Sequence, residues 1–512
     1  MVLITVIMAV GISLAVVQGV SVVLLLPLLL VAALLAIVYW RVTLYVFLGY
    51  LVVGGFVSTL FYSVELIRIV PHVLAAVVYV GFLREAYLRG RSIGFRSPLV
   101  VVLCAVIGLW LAYIPNPGQI NRAVAVLGLI TYVYFLPFVL IGYHVLADSR
   151  AMRRFCIFML ATSVPVVAVG TLQYLLGQEA YAALFPGFKA FSVGSFGVDV
   201  FRFPATLAGP TQLALYLNAE VLIAAGGIWA FRGLGRWLAG VVLAACLFLI
   251  AINGSRGAYL IPPVSLSVLI TLICLARPQL EPVEETNRSP AGRRSVQNYW
   301  VGKVAGAVVF LTVIGIGMTA ALGLGGDVLA ARLSTLSADR YYEDPEDFSV
   351  RVTKTWDLVG GLITNDPVWW LGHGTGTASP YLWQLGIDRP VDEALLAELL
   401  YQLGLLGWVA YLTLFVVILV EAYRATRRSS GPENWVWSRV SFVYVLQVVA
   451  ATLLTGDEAL VLFPSNVLFW LLLGGLLAQR RRVSTLSRVR MTVLAGKAAN
   501  WRLASGMRPR LG

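Results

Sequence analysis

The chain has 512 residues, 59% of them hydrophobic and only 12% charged, with a mean hydropathy of +0.86. Soluble domains carry about 25% charged residues, so a water-soluble enzyme, which needs polar groups over its whole exterior, is excluded. The net charge of +13 does not point to nucleic acid, because the basic residues collect in short connections between apolar runs.

Those runs recur from end to end, each about 20 residues and long enough to cross a hydrocarbon layer of about 30 Å. The alternating pattern of an outer-membrane barrel is absent. The expected fold class is all-α: a polytopic membrane protein of about 12–14 transmembrane helices with one large, partly helical extracytoplasmic loop. In chain order the spans read near 2–19, 20–39, 42–62, 64–83, 99–115, 123–146, 155–176, 210–231, 236–252, 258–275, 304–325, 401–421, 440–456 and 464–479. The first 40 residues carry no charge before Arg41, unlike the basic start of a signal peptide; they read as a helical hairpin or one long tilted helix. Cys104, Cys156, Cys246 and Cys274 fall inside apolar runs and read as small buried hydrophobes.

Grouping the spans gives N-terminal transmembrane helices over 1–154 and a second set over 155–325 with an outer loop at 177–209. A large extracytoplasmic loop follows at 326–400, then C-terminal transmembrane helices at 401–479 and a basic tail at 480–512. Orientation comes from the charges. Connections on one side (Arg41, 84–98, 147–154, 232–236, 277–303, 422–439 and 480–512) hold 28 Lys and Arg, against nine on the other. The positive-inside rule makes the first side cytoplasmic, both termini with it, in a multi-pass inner (plasma) membrane protein. The cytoplasmic stretch 277–297, rich in Pro, Glu, Arg and Ser, reads as a flexible linker.

Loops beyond about 15 residues are usually functional or structured, which singles out 177–209 and 326–400. Within the latter, Asp347–Gly361 has helical periodicity with Phe348, Val352, Trp356 and Val359 on one side. Ionisable residues at membrane depth also need a reason. Arg202 stands just before the eighth span, and Arg256 lies in a polar knot between the ninth and tenth. A guanidinium beside open backbone N–H groups suits a phosphate; a snorkelling side chain is the plainer alternative. Arg68 and His72 flank Pro71 and read as a structural hydrogen bond. Glu220, near the middle of the eighth span, reads as a buried partner for a basic or hydroxyl group.

In the large loop, Arg351 and Lys354 share a helix face, and a solvated face is the bland reading. Trp369, Trp370 and Trp383, with Tyr381, offer apolar faces for sugar rings or form an interfacial aromatic belt. The run Gly372-His373-Gly374-Thr375-Gly376 either lets a backbone approach a ligand or closes a tight turn. Asp392 and Glu393 precede the twelfth span and Glu398 follows within it; they are candidate bases or helix-start carboxylates.

Taken together, these pieces resemble the O-antigen ligase and O-antigen polymerase superfamily. The carrying segments are Arg202–Leu217, Gly254-Ser255-Arg256-Gly257-Ala258, Arg351 within the large loop, the Gly372–Gly376 turn, and Val391-Asp392-Glu393 followed by Glu398 through Gly407. The order and spacing are similar from about residue 155 to 480; the first 150 residues match in hydropathy alone. The resemblance implies a glycosyltransferase that moves a glycan from an undecaprenyl diphosphate carrier to an acceptor hydroxyl, outside the inner membrane. Asp392 stands where ligase members usually carry histidine, which leans the reading toward a polymerase of O-antigen, capsule or exopolysaccharide type.

On that reading Arg202, Arg256, Arg351 and Lys354 bind the diphosphate, and Asp392, Glu393, Glu398 or His373 activates the acceptor. Trp369, Trp370 and Trp383 stack the glycan. The expected partners are the lipid-carrier-linked oligosaccharide donor, a glycan or lipid acceptor and membrane lipids, with no nucleic acid. Diphosphate is already a good leaving group, so no metal or other cofactor is expected. The rival from another class is a polysaccharide or lipid-linked oligosaccharide transporter (a flippase), against which stand the 75-residue outer loop and the lack of internal repeats.

Overall fold

A computed structural model describes residues 31–61, 69–90, 97–185, 187–188, 192–195, 198–253, 256–275, 348–391, 394–429, 432–455 and 458–479. Three of the helices begin at a side-chain cap. Helix α1 (Trp40–Leu60) and α2 (Val70–Leu88, with Pro71 in its first turn) are followed by α3 (Pro98–Ala112). The Ser97 hydroxyl accepts the Leu99 N–H ahead of α3, and Asn121 accepts Val124 N–H ahead of α4 (Arg122–Tyr132). Helix α5 (Phe138–Val145) follows Pro137, and Asp148 caps α6 (Ser149–Leu184). A two-stranded antiparallel hairpin, β1 (Ser192–Ser195) and β2 (Val198–Phe201), pairs Ser192 with Phe201.

Helices α7 (Pro210–Ala230), α8 (Leu234–Asn253) and α9 (Arg256–Leu275) come next, then α10 (Phe348–Asn365). The last helices are α11 (Leu395–Arg427), α12 (Pro432–Thr455) and α13 (Ser465–Gln479). Six are long and apolar enough to cross a membrane: α1, α6, α7, α8, α11 and Glu433–Leu454 of α12. The protein is an all-α, multi-pass membrane protein; the spans expected at 2–19, 20–39 and 304–325 fall largely or wholly outside the described residues.

Helix α7 sits at the centre, buried along nearly its whole length against α6, α8, α9 and α12. A helix apolar on every side has to be enclosed or lipid-facing, and here protein encloses it. Glycines allow the closest crossing elsewhere: a side chain at Gly142 of α5 would strike the Leu471 backbone of α13, and one at Gly474 would strike the Val139 backbone.

The bundle's two ends are internally consistent. At one, Glu85 of α2 accepts from Trp40 Nε1 at 2.5 Å and Arg41 at 2.8 Å, and Ser97 donates to Glu421 of α11 at 3.1 Å. Arg41 and Arg89 pair with Glu85, and Arg424 with Glu421, at this end. At the other end Phe56 N–H meets the Thr206 carbonyl, and Asn116 meets Gly372.

Several expectations need correcting. The span read at 123–146 is two helices, because residues 133–137 turn at Pro137, which has no N–H to continue the ladder. The span at 155–176 runs from Ser149 to Leu184 with a break at Gly177, whose φ is +73°. The loop at 177–209 therefore opens with helix and contains the hairpin. On α10, Thr355 and Val359 face inward, one turn apart, whereas Trp356 is exposed. Cys104 is exposed on α3, while Cys156 and Cys246 are buried. Arg68 lies outside the described residues; among those described, His72 Nδ1 has no hydrogen-bond partner, its ring lies among Tyr134, Phe135 and Phe463, and its carbonyl accepts from Tyr134.

Candidate functional site

The site is built where α11 breaks. Gly404 has φ +62° and ψ −165°, far from helical values. In an unbroken helix the Leu405 N–H would bond to the Tyr401 carbonyl four residues back. Here Leu405 N–H goes to Trp370 O at 3.2 Å, and the Tyr401 and Gln402 carbonyls take the N–H groups of His373 at 2.8 Å and Gly374 at 2.9 Å. The connection 366–391 thus supplies the hydrogen bonds that the broken helix gives up, as non-helical backbone at the membrane requires.

The three glycines of the 372–376 run all have positive φ: Gly372 at +73°, Gly374 at +107° and Gly376 at +84°. The need at Gly376 is also steric. A side chain there would meet the Val124 carbonyl of α4, and one at Gly128 would meet Gly376 in turn. Side chains lock the turn onto α3, α4 and the connection between them. Thr375 Oγ1 donates to Trp110 O at 2.9 Å, Asn116 Nδ2 to Gly372 O at 3.1 Å, and the Thr131 and Ser379 hydroxyls meet at 3.2 Å.

His373 is held by this frame. Its ring stacks on Tyr401, centroids 4.0 Å apart and planes 5° from parallel. Nδ1 lies 3.2 Å from the Tyr401 carbonyl and 3.6 Å from Asp366 Oδ2. Asp366 is positioned by its own turn, Oδ1 accepting Val368 N–H at 3.0 Å. In the tautomer that donates Nδ1–H to the carbonyl, Nε2 carries a lone pair and can accept a proton.

Glu398 is enclosed, at 0% exposure. It pairs with Arg389 and accepts from the Tyr132 hydroxyl at 2.7 Å. That hydroxyl accepts Gln402 Nε2 at 3.1 Å, and Gln402 Oε1 accepts Gly376 N–H at 2.8 Å. Trp110 covers Tyr132 with centroids 4.7 Å apart. A carboxylate so committed has no face for a substrate hydroxyl; it ties the residues before α11 to the glycine turn.

The other sequence candidates are distributed differently. Arg202 leads a segment pinned between α1 and α6: Gln173 bonds both the N–H and the carbonyl of Ala205, and Thr206 bonds Val52 O. That segment ends at Pro210, whose carbonyl accepts Asn253 Nδ2 at 3.4 Å, so it meets the chain just before Arg256. Arg256, Arg351 and Lys354 are described in backbone only, at the start of α9 and in the first turns of α10. Trp369 packs on the core, Trp370 is exposed, and Trp383 lies in a short 3-10 turn (Leu382–Leu385) with its side chain outside the described residues. Asp392 and Glu393 are outside the described residues. Glu220 is fully buried on α7, one turn after Tyr216, whose hydroxyl pairs with Thr162 and interacts with the Glu220 carboxyl.

Arg389, Tyr132, Gln402 and Tyr401 were not anticipated as site residues. Only Glu398 and Gln402 carried a signal, since residues four apart share a helix face. No protein-family model matches the chain, and no curated protein matches it either.

Proposed function

We propose that this chain is a glycosyltransferase that moves a glycan from an undecaprenyl diphosphate carrier to an acceptor hydroxyl at the extracytoplasmic face of the inner membrane. Polymerase-type extension of a lipid-linked glycan is favoured over ligation, because Asp392 stands where ligase-type members carry histidine. The observation that carries the reading is the junction at Gly404, where a stacked, carboxylate-flanked imidazole sits at the end of a membrane-spanning helix. The motif order from Arg202 to Gly407 supports the same class.

In this reaction the acceptor oxygen attacks the anomeric carbon while the bond from that carbon to the diphosphate oxygen breaks. The acceptor proton passes to His373 Nε2 or to the Asp392 carboxylate. The bonding pair leaves on the carrier diphosphate, whose added charge Arg202, Arg256 and Arg351 neutralise in a site of low effective dielectric. Asp366 and the Tyr401 carbonyl orient the His373 ring.

The test is mass analysis of lipid-linked products after incubating purified protein with a lipid-linked oligosaccharide. Carrier-bound glycans longer than the input are expected. Passage of the donor across a proteoliposome membrane with unchanged mass, and no transfer, would make the protein a transporter.

A further inference from the structure

Helix α11 presents an exposed apolar stripe, Leu406, Val409, Val416 and Val420, with Thr413 completing the three–four spacing, opposite the buried Tyr411, Leu414 and Ile418. On a membrane-spanning helix such a stripe faces hydrocarbon. Glu421, paired with Arg424, marks the far end. It lies about 26 Å along the helix from Gly404 at 1.5 Å per residue, close to the roughly 30 Å of a hydrocarbon core. Gly404 is therefore near the opposite boundary.

The stripe does not stop there. Trp370 is 55% exposed and Leu371 44%, and the Trp370 carbonyl is bonded to Leu405 N–H, beside Leu406 at 60%. Backbone can enter hydrocarbon only when its polar groups are satisfied internally. Much of this turn's backbone meets that condition: the N–H groups of Val368, Trp369, Leu371 and Gly372 have acceptors within 366–368, and the carbonyls of Trp370 and Gly372 accept from Leu405 and Asn116.

We propose that the turn at 368–371 is inserted in the membrane, with Trp370 and Leu371 in contact with lipid acyl chains beside Leu406. The anchor holds His373, two residues further on, at headgroup height and opens its surroundings toward the bilayer. This does not depend on the reaction proposed above.

The experiment uses the full chain in phosphatidylcholine–phosphatidylglycerol liposomes, with Cys104→Ser as background. Nitroxide labels are placed at Leu371→Cys and, separately, Trp370→Cys. Leu406→Cys is the lipid-facing reference and Asp388→Cys, at an exposed polar position, the water-facing one. The ratio of collisions with oxygen to collisions with a water-soluble nickel chelate should match that at 406 within about twofold and exceed that at 388 several-fold. A ratio like that at 388 would place the turn in water and overturn the proposal. Low collision rates with both reagents would mean that protein covers it, which overturns the proposal equally. If Trp370→Cys fails to fold, Leu371→Cys decides alone.

Discussion

Replacing Arg389 with methionine keeps an unbranched apolar stem but strips Glu398 of its cation. Glu398 is fully buried, so its carboxylate stays in the interior with the Tyr132 hydroxyl as a remaining donor. Removing one member of a buried ion pair costs about 3–5 kcal/mol, because the other charge stays desolvated. At about 1.4 kcal/mol per tenfold, Arg389→Met should lower the folded-to-unfolded ratio by roughly a hundred- to a few-thousand-fold. Replacing both partners with apolar residues of similar size is often neutral, so Arg389→Met with Glu398→Leu should recover most of the loss. The assay is reversible unfolding in bicelles, followed by steric trapping at two introduced tags, for the wild type, both singles and the double. A single-mutant loss below about 1 kcal/mol, or a double mutant no better than Arg389→Met, would refute the view that this pair is an interior anchor.

Further expectations concern the turn, the base, the carrier site and the orientation. Gly376→Ala forces a side chain into φ +84° against the Val124 carbonyl, at about 1–3 kcal/mol for the backbone conformation alone; monodisperse yield should fall sharply, and normal yield would contradict the packing. His373→Asn should leave donor binding intact and cut glycan transfer about 10²-fold or more, with Asp366→Asn producing a smaller loss; if His373→Asn transfers normally while Asp392→Asn is dead, the carboxylate is the base. Arg256→Ala should abolish transfer and Arg256→Lys rescue it poorly, since lysine lacks the planar fork; full activity at normal expression would remove Arg256 from the site. In intact cells an impermeant thiol reagent should label Asp388→Cys and spare Arg89→Cys, and the reverse pattern would invert the topology.

Composition excluded a soluble domain, because a chain so poor in charge cannot clothe one, and the recurring apolar runs of about 20 residues made it a helical membrane protein. Three helix starts are set locally: Ser97, Asn121 and Asp148 cap from the side-chain oxygen they carry, whatever the rest of the fold does. The glycine run 372–376 and the carboxylates after it drew attention through residue type. Their roles were not legible, since role depends on what lies opposite. Glu398 looked like a base at a helix start, yet Arg389 and Tyr132, the latter 266 residues away in sequence, make it a buried anchor.

His373 gained its partners the same way, from a helix that breaks at Gly404 and surrenders two carbonyls to it and its neighbour. Periodicity ran straight through that break, and through Pro137, because hydropathy records how apolar a stretch is and not whether its backbone ladder is continuous. Tertiary structure decided both. At the membrane every polar backbone group must find a partner, and which partner it finds is settled by segments far apart in the chain.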